Sequence, residues 1–250
     1  MNFGATKGFQ KWATGFSGCD GGNINGPIWF CGIEYGGGED KYDFKFDDVT
    51  SPSYVPEEKL WDHLKYQYNR KMAKIYAQIC GRTPPEYYEN ARDRGLMSAD
   101  GDVFKMNLFP IAFPRDHNEL WEEWIYNETG LPTKSIYRAW CQVHRFVKIQ
   151  QWVSENSPKL IVATSVNYEA DFMMAFGGVN TIYDKQSVEN ETILDRRLVW
   201  LPVNSGKTIL AITPFLGYRY GLNSDALQAG FGARLNEICA THFGKDWLVT

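Results

Sequence analysis

The stretch Pro27-Ile28-Trp29-Phe30-Cys31-Gly32-Ile33-Glu34-Tyr35-Gly36-Gly37-Gly38-Glu39-Asp40 decides how the chain is read. A short apolar run is followed at once by glycines and a carboxylate. A run of this length suits a central parallel strand buried on both faces. Glycines behind such a strand let the backbone turn sharply and approach a ligand. In open α/β sheets ligands bind beyond the carboxyl ends of the strands, which places Glu34 at that edge, either as a site residue or as the cap of a turn.

Outward from this stretch, three further apolar runs read as core strands: Val103–Phe109, Leu160–Ala163 and Thr208–Thr213. Helical spacing appears between them. Pro56-Glu57-Glu58 opens a helix marked by Leu60, Leu64, Tyr68, Ile75 and Ile79 and closed by Gly81. Thr133 to Ser154 is the clearest helix, with Ile136, Trp140, Val143, Val147, Gln150 and Val153 as the expected inner face, widened by Ala139 and Phe146. Ser165 or Asn167 caps a helix that ends at Gly177-Gly178, and a last helix runs from about Ser224 to Phe243. Thr181–Tyr183 and Leu198–Val203 read as a hairpin or added edge strands, and 82–102 as irregular. The alternation of strand and helix predicts a three-layer α/β/α fold with a central parallel four-stranded sheet and small edge strands. Without a linker or repeat, residues 1–250 read as one domain, with 1–26 as a lead-in packed on the core through Phe9, Trp12 and Phe16.

Composition bounds the function. Of 250 residues 44% are hydrophobic and 22% charged, enough for a sizeable core. A net charge of −4 supplies no global field toward nucleic acid or anionic lipid. Cys19, Cys31, Cys80, Cys141 and Cys239 are widely spaced with no CxxC, so reduced thiols, no metal site and a cytoplasmic location are expected. No basic segment followed by an apolar run opens the chain, so no signal peptide is expected, and no window is apolar enough to span a membrane. The oligomeric state is left open.

The strand ends carry the chemistry. Glu34 has the carboxylate needed to orient a water against a sugar carbon. Asn107, closing the second run, offers a donor and an acceptor to the edge of a base or to loop backbone. Tyr35, Phe44 and Phe46 offer rings for stacking on a planar ligand or for anchoring a long loop. Glu39, Asp40, Asp43, Asp47 and Asp48 form an acidic loop that holds a hard cation or is simply solvated. Asn204-Ser205-Gly206-Lys207-Thr208 lacks the first glycine of a phosphate loop and reads as a turn between two strands. His117 is the histidine best placed in a loop to act.

Together Gly32-Ile33-Glu34-Tyr35-Gly36, Met106-Asn107-Leu108-Phe109-Pro110 and Thr213-Pro214-Phe215-Leu216-Gly217-Tyr218 resemble the strand-end motifs of the uracil-DNA glycosylase superfamily, over most of residues 27–243. The resemblance implies that fold and a base-recognising N-glycosidase acting on a damaged base, nucleotide or damaged DNA. It implies Glu34 as water activator and Gly32 and Gly36 as its flanks. Asn107 becomes the base reader, Phe44 or Phe46 the stacking ring, and Thr213-Pro214 occupies the place of the family's His-Pro. Arg219 follows in the loop that meets the nucleic-acid backbone. No cofactor is implied, because the cysteines of an iron–sulfur cluster have no counterpart. The absent histidine favours a non-catalytic nucleobase- or nucleotide-binding module as the alternative, with a metal-dependent hydrolase using the acidic loop as the third reading.

Overall fold

The protein is described by a computed structural model that covers residues 4–37, 45–47, 49–114, 120–183, 187–217 and 219–248. Among these residues seven strands form one sheet: β1 (Cys19–Gly22), β2 (Ile28–Gly32), β3 (Val103–Asn107), β4 (Leu160–Thr164), β5 (Glu189–Ile193), β6 (Arg196–Val203) and β7 (Thr208–Thr213), in the order β1-β3-β2-β4-β7-β6-β5. The sheet thus has seven strands, where a parallel four with small edge strands is expected. β3, β2, β4 and β7 are mutually parallel, β1 and β6 add to them antiparallel, and β5 pairs antiparallel with β6 at the edge. β2, β3, β4 and β7 are buried along their whole length, which is why they read as mainly apolar runs, interrupted in β3 by Lys105. β1, with the sequence Cys-Asp-Gly-Gly, carries no such signal. It is placed by pairing with β3, and its glycines adopt φ of 115° (Gly21) and 101° (Gly22) where Ser53 and Val103 crowd the backbone.

The helices are α1 (Lys7–Thr14), α2 (Glu57–Leu64), α3 (Gln67–Ile79), α4 (Tyr87–Asp93), α5 (Glu123–Thr129), α6 (Lys134–Asn156), α7 (Glu169–Gly177) and α8 (Asp225–Phe243). One face of the sheet packs against α1, α5, α6 and α7 through Trp29, Phe104, Met106, Ile161 and Leu210. The other packs against α2, α3, α4 and α8 through Ile28, Phe30, Val103, Val162 and Ile209. The alternation of these residues along each strand is the two-residue period of a pleated sheet. Crossovers that leave β2 toward β3 and return to β4 on its other side account for the two helical layers.

Several boundaries differ from expectation for identifiable reasons. The helix from Pro56 to Gly81 is two helices, because Tyr66 is extended (ψ 129°) and the buried Asn69 amide donates to the His63 carbonyl (3.0 Å), capping α2 where it stops. The 82–102 segment contains α4, and residues 179–182 form a helical turn instead of a strand. The turn at Asn204-Ser205-Gly206 joins β6 to β7 with three consecutive positive φ values (52°, 55°, 79°), as a tight connection between antiparallel strands requires. The largest difference is on α6. Its buried stripe is Tyr137, Cys141, Arg145, Ile149 and Trp152, and Ile136 (48%), Val143 (64%) and Val147 (46%) are exposed. The helix is rotated from the expected face because the fully buried Arg145 belongs to the core.

Candidate functional site at the carboxyl edge of the sheet

The parallel strands run second, first, third, fourth across the sheet, so the connections from β2 diverge between β2 and β4. Beyond the carboxyl ends of the strands, such a switch point opens a crevice. The registers Gly32↔Asn107 and Thr164↔Thr213, joined through Cys31↔Ala163, align Asn107, Gly32, Thr164 and Thr213 in one row. By strand alternation the row faces the α3 layer. Asn107 Nδ2 donates to the Gly18 carbonyl (3.2 Å) and lies 3.5 Å from Asp20 Oδ2, which fixes Oδ1 toward Gly32. A Cβ at residue 32 would collide with that oxygen, so glycine is required by the position of the amide.

Three side chains that sequence reasoning passed over complete this face. Lys105, two residues before Asn107 and hence on the same side of β3, is buried and ion-paired with Asp20. Its ammonium stands 4.9 Å from the centre of the Tyr68 ring. Tyr68, at the start of α3, shares a 3.0 Å hydrogen bond with Thr164 Oγ1, and Phe215 lies 6.2 Å away, ring to ring. Burial raises the Tyr68 hydroxyl well above its usual range, the Thr164 bond opposing the shift. Tyr35 is shifted the same way by burial, reinforced by the negative charge of Asp20 and opposed by a hydrogen bond with Asn107. Both hydroxyls therefore stay protonated donors at neutral pH. A lysine inside an otherwise apolar strand, Val-Phe-Lys-Met-Asn, was the available signal for this cluster.

Glu34 turns to the other layer. Its carboxylate is buried, 3.0 Å from Lys134 Nζ and 3.6 Å from Arg138 Nη2, both on the first turns of α6. Lys134 is completely buried with its ammonium 3.7 Å above the Phe113 ring, and the Arg138 guanidinium lies 5.3 Å from Phe109 and 5.4 Å from Tyr168. A cation in the first turn of a helix opposes the helix dipole and needs a carboxylate nearby. Lys134 directly after the capping Thr133 was thus a legible sign of such a partner. Arg145, further along α6, donates to the carbonyls of Ala13 (2.6 Å), Ser17 (2.6 Å), Leu108 (2.7 Å) and Asn107 (3.2 Å), tying the N-terminal segment to the end of β3.

The remaining expected site residues are distributed as follows. Thr213 is buried, with its hydroxyl within hydrogen-bond reach of the Ala163 (3.3 Å) and Pro214 (3.1 Å) carbonyls, and Pro214 is buried beside it. Gly36 is exposed, and a Cβ there would meet nothing. Phe46 packs against Phe9 (5.7 Å) and Trp12 (5.2 Å) on the α1 side, away from the Asn107 row. Arg219 is exposed, 5.7 Å from the Tyr220 ring. Phe44, Glu39, Asp40, Asp43, Asp48, His117 and Tyr218 lie outside the described residues. Among the described residues no group of three or more His, Cys, Asp or Glu side chains is arranged to hold a metal ion, and no helix is long and apolar enough to cross a membrane. No family model matches the chain, and no curated protein matches it.

Proposed function

We propose that the chain binds a nucleobase or nucleotide at the carboxyl edge of β2 and β3, on a fold of the uracil-DNA glycosylase type, with Asn107 reading the base edge. The observation that carries this reading is the pairing of Gly32 with Asn107. A strand-end amide of fixed orientation is backed by Gly18 and Asp20 and fronted by a residue without a side chain. With Nδ2 held by Gly18 and Asp20, the amide presents its Oδ1 as an acceptor for a donor on the Watson–Crick edge of a base. Tyr35, Tyr68 and Phe215 supply rings and protonated hydroxyls around it. The engagement of Glu34 by Lys134 and Arg138 supports binding over hydrolysis, since a water-activating carboxylate acts through an oxygen that can reach the water.

Hydrolysis of an N-glycosidic bond is the second reading, favoured by the position of Glu34 just beyond β2. Calorimetric titration with free bases and nucleosides tests the first. Asn107→Ala should weaken binding by roughly tenfold, equivalent to ~1.4 kcal/mol, and an unchanged affinity refutes the role of Asn107. A glycosylase assay on uracil-containing oligonucleotides, comparing the natural chain with Glu34→Gln, tests the second: release of base by the former and not by the latter moves the chain to the enzymes.

A further inference from the structure

A cavity of about 410 Å³ opens between the first turns of α3 and the start of α8, lined among others by Arg70, Lys71, Lys74, Asn223, Asp225 and Gln228. Its volume is in the range of small-molecule sites. Gln67, next to Tyr68 at the start of α3, also lines the cavity, and Asn223 and Asp225 lie where the chain leaving the carboxyl end of β7 enters α8, so the cavity lies at the same edge of the sheet as the Asn107 row. Three cations face one carboxylate, and that carboxylate is taken: Asp225 Oδ1 is 2.6 Å from Lys74 Nζ. Lys71 is only 8% exposed, and among the described residues no carboxylate pairs with it. Burial lowers its pKa, and the positive charges of Arg70 and Lys74 lower it further.

The second independent feature is Gln228, which is 1% exposed. Its Nε2 donates to the Leu222 carbonyl (2.9 Å), which identifies the other end of the amide as oxygen. That Oε1 is buried and accepts no hydrogen bond from the described residues. Buried acceptors are nearly always satisfied, so an unsatisfied acceptor on a residue that lines a cationic cavity calls for a ligand that donates a hydrogen bond as well as carrying negative charge.

We infer that this cavity binds the phosphate end of a small phosphorylated ligand, with Lys71 and Arg70 on the phosphate and Gln228 Oε1 accepting from a hydroxyl or protonated phosphate oxygen. On the reading proposed above, on which this step rests, the ligand is a nucleotide and not a free base. A duplex is disfavoured as the occupant because its backbone cannot carry a donor down to a buried amide.

The test is titration of uridine 5′-monophosphate, uridine and inorganic phosphate into the natural chain and into Lys71→Met, Gln228→Glu, Asn107→Ala and the remote surface control Lys59→Met. Melting curves without ligand check that each variant folds. The monophosphate should bind at least tenfold tighter than uridine, and this gap should close in Lys71→Met and Gln228→Glu and persist in Lys59→Met. In Asn107→Ala both ligands should weaken while the gap remains, which separates the phosphate site from base reading. If neither uridine compound binds but inorganic phosphate raises the melting temperature in a Lys71-dependent way, the base reading falls and the phosphate site stands. Equal affinity for nucleotide and nucleoside, a gap that survives Lys71→Met, or binding only of duplex DNA overturns the inference.

Discussion

At the scale of single residues, buried charge is the main device of this protein. Glu34, Lys134 and Arg138 form a buried cluster in which one carboxylate meets two cations and aromatic rings lie over both. Removing one partner of a buried pair leaves the other charge in a low-dielectric site, so Glu34→Gln should lower unfolding stability by roughly 3 kcal/mol in urea melts. Adding Lys134→Met to that variant should recover part of the loss, and a double variant no more stable than the single one refutes the coupling. Buried thiols set a pH dependence at the alkaline end. Burial pushes Cys19, Cys141 and Cys239 up to about 12, with Arg145 opposing the shift at Cys19 and Cys141. The unfolded chain gives up these protons at its ordinary thiol value of 9.0, while the folded chain holds them. The contribution is therefore complete below about pH 9 and is lost as pH rises from there toward 12. Urea midpoints should be flat near neutrality and fall from about pH 9 upward, with Tyr35, Tyr68, Tyr76 and Tyr137 shifted by burial in the same sense.

At the scale of elements, the contact between α3 and α8 fixes the far wall of the candidate site. The two helices meet at Gly232, where an added Cβ would stand 2.7 Å from the Ile75 carbonyl and 2.6 Å from Gln78 Cβ. Because backbone is what blocks the methyl group, Gly232→Ala forces the helices apart. It should cost about 1–3 kcal/mol in urea denaturation despite the better helix propensity of alanine. A neutral or stabilising effect contradicts the close approach. The α6 face teaches a related lesson about legibility. Scoring Arg145 as polar turns Ile136, Val143 and Val147 inward, whereas the core holds Arg145 because backbone carbonyls from α1, the segment after it and β3 surround its guanidinium. Those acceptors are far away in sequence, so no window of α6 contains the reason for its orientation.

At the scale of the whole molecule, a net charge of −4 opposes non-specific docking on phosphate backbones, for which affinity scales with the number of Lys and Arg contacts. Fluorescence anisotropy should therefore give weak or no binding to plain duplex DNA at physiological salt. Submicromolar binding that weakens steeply with salt would refute this and restore a DNA substrate. The sequence by itself determined the four parallel strands, the helices between them and the presence of Gly32, Glu34 and Asn107 at strand ends. These features follow from local period, from burial on both faces and from breakers, all written in neighbouring residues. It left out β1 and β5, whose sequences carry no apolar alternation. Tertiary structure alone decided their pairing, the rotation of α6, the turning of Glu34 toward Lys134 and Arg138, and the joining of Asp20, Lys105, Tyr68 and Asn107 on the opposite face. Except for β5, which pairs with its sequence neighbour β6, each depends on hydrogen-bond and charge partners tens of residues distant, and the energy of a buried polar group is set by what surrounds it in space.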